Sequence, residues 1–206
     1  MSTIPARIYL ASRSPRRREL LRQIGVNFDS LVFRGGERGE DADVDETPLA
    51  NEPVERYVER LALTKAEAGR RRLQWRTLPL HPVLAADTTL ELDGAIIGKP
   101  ADAADAAAIL QRLSGRTHRV LSAVAISDGA RTRSLTHISE VRFRPLGDDE
   151  IRQYVASGEP MDKAGAYGIQ GHAAIFIEEI RGSYSGIMGL PLFETGQLLE
   201  TFGYPL

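Results

Sequence analysis

An α/β fold built on a mixed sheet is what the sequence predicts, and three observations predict it. Short apolar runs with strand character alternate with stretches of helical periodicity. Two dipeptides with strong turn chemistry, Asp93-Gly94 and Asp128-Gly129, each separate two strand-like runs and read as hairpins. Hairpins make antiparallel neighbours, which argues against an all-parallel, doubly wound sheet. With 206 residues the chain can form one large domain or two lobes sharing a core.

Taken in order, Ile8-Tyr9-Leu10-Ala11 is a short apolar strand. Ser14 offers an N-cap side chain and Pro15 the fixed φ of a first helical position, with Leu20, Leu21 and Ile24 on one face and Gly25 as the stop. Residues 33–51 are polar, acidic and glycine-bearing, and read as a loop that could close over something. Pro53 opens a helix with the stripe Val54, Tyr57, Val58, Leu61, Ala62, Lys65, Ala66, and residues 70–80 read as a basic, irregular connector. Residues 83–92 are a strand, returned by Asp93-Gly94 to Ala95-Ile96-Ile97 and then Gly98-Lys99-Pro100. Residues 103–113 form an alanine-rich helix between Asp102 as cap and Gly115 as stop. Strands are expected over 119–126 and 134–143, then a helix over 148–157 ended by Gly158. A glycine-bearing loop over 159–171, an apolar strand over 174–180, a glycine-rich turn over 184–191 and a closing helix over 192–202 complete the chain.

Composition narrows the function. The net charge is −2, so no global basic field exists for nucleic acid or a membrane surface, and any anion site must be local. Cysteine is absent, which excludes disulfides, thiolate catalysis and Cys-based zinc sites. The first seven residues lack a signal-peptide core and no apolar run is long enough to span a bilayer, so a soluble intracellular protein is expected. Walker, dinucleotide-binding, zincin and nucleophile-elbow patterns are all missing. The histidines, at 81, 118, 137 and 172, show no ligand spacing.

Arg16, Arg17 and Arg18 lie in the first turn of a helix, at its positive pole, where each cation is disfavoured by roughly 0.3–1 kcal/mol. With Ser12 and Ser14 they would make a phosphate cradle; the alternative is a solvated basic face. Asp87 interrupts an apolar strand, either bonded to backbone or acting as a general base or metal ligand. Lys65 either snorkels from its stripe or reaches a ligand. A regular ladder from Asp93-Gly94 puts Lys99 opposite Thr88, on the face away from Asp87; a bulge at Gly98 would turn it to the same face. Clustered arginines, two lysines, one buried-looking aspartate, an acidic loop and a glycine-rich loop suit a polyphosphate better than a neutral substrate.

These residues also carry a likeness. Ser12-Arg13-Ser14-Pro15-Arg16-Arg17, followed by Leu20-Leu21, resembles the opening signature of the Maf family of nucleoside triphosphate pyrophosphatases. The resemblance continues through Arg60-Leu61-Ala62 with Lys65-Ala66, Ala86-Asp87-Thr88, Gly98-Lys99-Pro100, Leu113-Ser114-Gly115-Arg116-Thr117-His118, Gly158-Glu159-Pro160, Gly182-Ser183-Tyr184 and Gly189-Leu190-Pro191-Leu192. The loop 162–171 is similar to that of the branch preferring dTTP and UTP rather than the branch acting on 7-methyl-GTP.

The resemblance implies a single Maf-type domain over residues 1–206, with a mixed twisted sheet in two lobes and a cleft between them, of the Maf/ITPase kind. It implies hydrolysis of dTTP and UTP, or of modified pyrimidine triphosphates, to the nucleoside monophosphate and pyrophosphate, with a divalent cation (Mg²⁺ or Mn²⁺), in the cytoplasm. The partner is then the nucleotide substrate, with no nucleic acid and no membrane, and a homodimer is compatible with it. By position Asp87 matches the proton acceptor, while Arg16, Thr88 and Gln170 match positions linked to base choice. Ser12, Arg17, Lys65 and Lys99 match positions around the phosphates, and Glu37 matches a loop acid that helps Asp87 hold the metal. Many relatives have two adjacent acids there, where this chain has Gly36-Glu37. The family's historical name also attaches it to septum formation, so a non-enzymatic regulatory protein of cell division is the alternative reading.

Overall fold

The first strand, β1 (Ile8–Leu10), is buried along its whole length, and it pairs in parallel on both sides. Its partners are β2 (Phe28–Ser30), with Tyr9 opposite Asp29, and β3 (Val83–Leu92), with Leu10 opposite Leu84. The computed structural model describes residues 7–32 and 44–206. Helix α1 (Pro15–Gln23) starts as its sequence dictates: Ser14 is extended and its Oγ accepts from the Arg17 N–H, with Pro15 at the first position. It buries Leu20 and Leu21 and stops before Gly25, whose φ of +72° is the left-handed turn that glycine tolerates.

Helix α2 (Val54–Trp75) is longer than expected and absorbs half of the predicted connector. Its buried stripe continues past Ala66 through Ala68, Gly69, Arg72 and Leu73, and no proline or cap intervenes. Gly69 lets this helix lie close on the sheet, since a Cβ there would stand 2.7 Å from Val83 Cγ1 and 3.2 Å from Ala11 Cβ. The contact fixes what lies one turn earlier. Lys65 is about 6 Å along the helix from Gly69. Asp87 is about 13 Å along the strand from Val83, and the lysine stem covers the difference.

The hairpin at Asp93-Gly94 forms as expected, with φ of +55° and +78°. It joins β3 to β4 (Ala95–Ile97), with Leu92 opposite Ala95. Helix α3 (Ala103–Leu113) is capped by Asp102, whose carboxylate accepts from the Asp105 N–H. Strands β5 (Thr117–Ser127) and β6 (Thr132–Phe143) are both longer than predicted, and the Asp128 carboxylate shapes their connection by accepting from Ala130 and Arg131. After α4 (Asp148–Ala156) the chain runs through three short 3₁₀ turns to β7 (Ile177–Arg181). The strand expected over 174–180 therefore begins three residues late, because His172–Phe176 coils into a 3₁₀ turn that buries Ala173 and Phe176. The expected turn over 184–191 contains the short helix α5 (Tyr184–Met188), and α6 (Leu192–Thr201) closes the chain.

Among the described residues seven strands form one sheet in the order β2-β1-β3-β5-β6-β7, with β4 paired to β3 outside that path, and parallel and antiparallel pairs coexist as a mixed sheet requires. The chain divides into two compact units. The first holds the described residues up to Asp87 with Ser122–Thr136 and Gly189–Leu206; the second holds Thr88–Leu121 and His137–Met188. The second unit's core gathers Leu90, Leu110, Val141, Phe143, Tyr154 and Phe176. Among the described residues no helix is long and apolar enough to cross a membrane.

Candidate active site

In the first unit β1 delivers the chain to Ser12, and the next five residues interlock. The buried Ser12 Oγ accepts from the Ser14 N–H at 3.1 Å and from an Arg17 guanidinium nitrogen at 3.4 Å. Arg17 Nε donates to the Gly189 carbonyl at 2.8 Å, so this guanidinium is held from two sides. Arg18 turns to the Arg13 carbonyl instead. Burial pulls the Arg17 pKa down from its usual value, the Asp87 and Glu46 carboxylates pull it back up, and Arg16 adds to the lowering. The arginine turn therefore lies within electrostatic reach of Asp87.

Lys65 occupies the centre of this group. Its Nζ is 2.6 Å from Asp87 Oδ1 and 2.5 Å from Glu46 Oε1. The Asp87 and Lys65 side chains are 11% and 15% exposed, while Glu46 is 57% exposed, so one carboxylate is fixed in the strand and the other comes from the surface. Lys65 thus reaches a partner rather than snorkelling. The segment bearing Glu46 is strapped to α2: Tyr57 donates its hydroxyl to the Glu46 carbonyl at 2.9 Å, and Arg60 reaches both the Thr47 carbonyl and the Glu52 carboxylate. Burial, with the Asp87 and Glu46 charges behind it, pushes the Tyr57 hydroxyl up to about 12.

Glu46 was not singled out by sequence reasoning. Its signal is the adjacent acid pair Asp45-Glu46, the doublet that is missing at Gly36-Glu37. Glu37 itself lies outside the described residues. Among the described residues no three His, Asp or Glu side chains converge as a ready metal cage. Asp87 and Glu46 are the two oxygen donors that meet at one point.

The second unit carries Thr88, Lys99 and Gln170. Thr88 follows Asp87 directly along β3 and is half-buried. The β3–β4 ladder ends at Leu90 opposite Ile97, so Lys99 lies beyond it, exposed, and neither the regular register nor the bulge at Gly98 applies. The Gly98 carbonyl instead accepts from the Gly165 N–H at 3.0 Å, which ties the turn before Lys99 to the loop before Gln170. In that loop five consecutive buried residues, 165–169, precede an exposed Gln170. Gly165 sits at φ +74°, where a Cβ would meet Leu90 Cδ1 at 2.3 Å. Tyr167 hydrogen-bonds through its hydroxyl to His118 Nε2 at 2.8 Å, edge-on to Phe143. Burial lowers the His118 pKa to about 3, so this pair is neutral.

The structure therefore brings Ser12, Arg17, Lys65 and Asp87 together in one unit, with Arg16 acting on Arg17, and places Thr88, Lys99 and Gln170 in the other. Comparison with known proteins gives the group a context. A family model described as Maf-like protein matches residues 7–202. A protein named dTTP/UTP pyrophosphatase from Aromatoleum aromaticum is 83% identical over 206 residues, covering 100% of both chains. Proteins of the same name from Dechloromonas aromatica and Chromobacterium violaceum are 60% identical over 96% of this chain and 98% of theirs, and 51% identical over 100% of both.

Proposed function

The chain belongs to the Maf family, and on that premise we propose that it hydrolyses dTTP and UTP to the nucleoside monophosphate and pyrophosphate, acting on the cytoplasmic nucleotide pool. The observation that carries the reading is Lys65 held between Asp87 and Glu46 beside the Arg17 turn. A phosphoanhydride needs concentrated positive charge and one group able to take a proton, and this cluster contains both.

Asp87 takes the proton of a water whose oxygen attacks the α-phosphorus, and the bridging oxygen leaves with pyrophosphate. Lys65 orients the Asp87 carboxylate, and with Arg16 and Arg17 it offsets the charge that grows on the departing phosphates. Ser12 holds the Arg17 guanidinium in place. Asp87 and Glu46 are hard oxygen donors that would hold Mg²⁺ or Mn²⁺. Such an ion, when bound, supplies charge neutralisation and a more acidic water. Lys99 belongs with the phosphate-facing cations, and Thr88 and Gln170 with the base. The Gln170 amide both donates and accepts, as the imide edge of uracil and thymine requires.

The relatives bear the name of an enzyme, and no observation favours the regulatory alternative. The test is a panel of dTTP, UTP, dCTP, GTP and 7-methyl-GTP with Mg²⁺ or Mn²⁺. Pyrophosphate should be released from dTTP and UTP ahead of the rest; release from none of them removes the enzyme.

A further inference from the structure

We infer that Glu159 is a positioning residue that fixes the loop carrying Gln170 and so sets the choice of base. The inference rests on the reading that Gln170 meets the base. An amide reads the donor and acceptor pattern of a base edge only from a set distance and angle to the ring. Discrimination therefore requires Gln170 to approach the ring from a fixed position.

Glu159 holds the loop at both ends. Beyond Gln170, its Oε2 accepts from the His172 N–H at 3.1 Å, and its Oε1 accepts from the Tyr154 hydroxyl at 3.0 Å. Gly171 makes room for this carboxylate, because a Cβ there would stand 2.0 Å from Oε1. Before Gln170, the Glu159 main-chain carbonyl accepts from Lys163 Nζ at 2.5 Å. The Lys163 stem then runs under Gly168, where a Cβ would lie 2.8 Å from Cε. Tyr154 is a rigid post for the carboxylate: it is buried, stacked on His172 at 6.1 Å and edge-on to Phe176 at 5.1 Å. With both carboxylate oxygens given to the loop and its post, Glu159 is arranged to place a neighbour rather than to transfer a proton.

The test compares Glu159→Ala, Glu159→Gln and Gln170→Ala in the full chain, with kcat and KM for dTTP, UTP and dCTP and a melting temperature for each. Glu159→Ala should raise KM for dTTP and UTP about fivefold to tenfold, as expected for the loss of a hydrogen-bonded anchor, and change kcat less. The preference over dCTP should narrow as it does in Gln170→Ala. Glu159→Gln should keep the preference, since its amide can accept from His172 and donate to the Tyr154 oxygen. A folded Glu159→Ala with an unaltered dTTP to dCTP ratio, beside a Gln170→Ala that has lost it, overturns the positioning role and leaves base reading by Gln170 intact. An equal loss on all three substrates with a lowered melting temperature shows mere structural support and overturns it too. Loss of turnover on every substrate in Glu159→Gln does the same, because it marks a proton-transfer group. If Gln170→Ala keeps the ratio, the base-reading premise fails and this role with it. Should Glu159→Ala not fold, Tyr154→Phe removes at nearly constant volume the hydroxyl that bonds both the Glu159 carboxylate and the Gly168 main chain, and is judged by the same ratio.

Discussion

Around Asp87, position is set by charge: one ammonium between two carboxylates, with a guanidinium within reach. Around Gln170 it is set by anchored backbone: a tyrosine on an uncharged histidine, a left-handed glycine packed on leucine, and main-chain groups bonded to one another and to the side chains of Glu159 and Lys163. The difference matches two chemical problems. The triphosphate is the same in every nucleotide, so charge can grip it and stabilise its cleavage without selecting a base. Uracil and thymine differ from cytosine by a few hydrogen-bonding atoms, and reading those requires fixed backbone rather than strong fields.

This contrast can be broken in order of effect. Asp87→Asn should lower turnover by about 10²–10⁴-fold, the range for a lost general base, while dTTP binding measured by calorimetry persists. Near-normal turnover would place the base elsewhere. Lys65→Met should cost roughly 10²–10³-fold in kcat, by analogy with a lost charge stabiliser, and by the same factor on dTTP, UTP and dCTP. Gly165→Ala should act on the other side of the comparison. The left-handed backbone costs about 1–2 kcal/mol and crowding against Leu90 about 1–3 kcal/mol more, seen as a lower denaturation midpoint.

The last effect is a pH dependence of stability, which leaves activity at neutral pH untouched. Burial lowers the His118 pKa from 6.5 to about 3. Between those values the unfolded chain takes up a proton that the folded chain refuses. Stability should therefore fall as pH drops through this window, by roughly 1 kcal/mol per pH unit. Replacing His118 with Asn should flatten that slope in denaturant titrations, and an unchanged slope would assign it to other groups.

What could be read from the chain follows the range of the forces involved. The Ser14-Pro15 start of α1, the Asp93-Gly94 hairpin and the Asp102 cap are local chemistry, and all three stand as expected. Asp87 could be picked out because a carboxylate in an apolar strand needs a partner, whereas periodicity alone leaves Lys65 able to snorkel. Their partnership with each other needed Gly69, whose small size matters only once Val83 is packed on it. Glu46 was hidden for a similar reason. It is one of several acids in its stretch of the sequence, and the contacts that bring it to Lys65 come from Tyr57 and Arg60, on a different element. The late start of β7 reflects burial of Phe176 in the second unit's core, which overrides the strand character of the apolar run.

The measurement that bears most directly on the account is the ratio of kcat/KM for dTTP to that for dCTP, determined side by side for Gln170→Ala and Lys65→Met. The ratio should collapse toward one in Gln170→Ala while hydrolysis continues, and hold at its starting value in Lys65→Met while hydrolysis nearly stops. A ratio that moves equally in both variants would contradict the assignment of chemistry to one group of residues and base choice to the other.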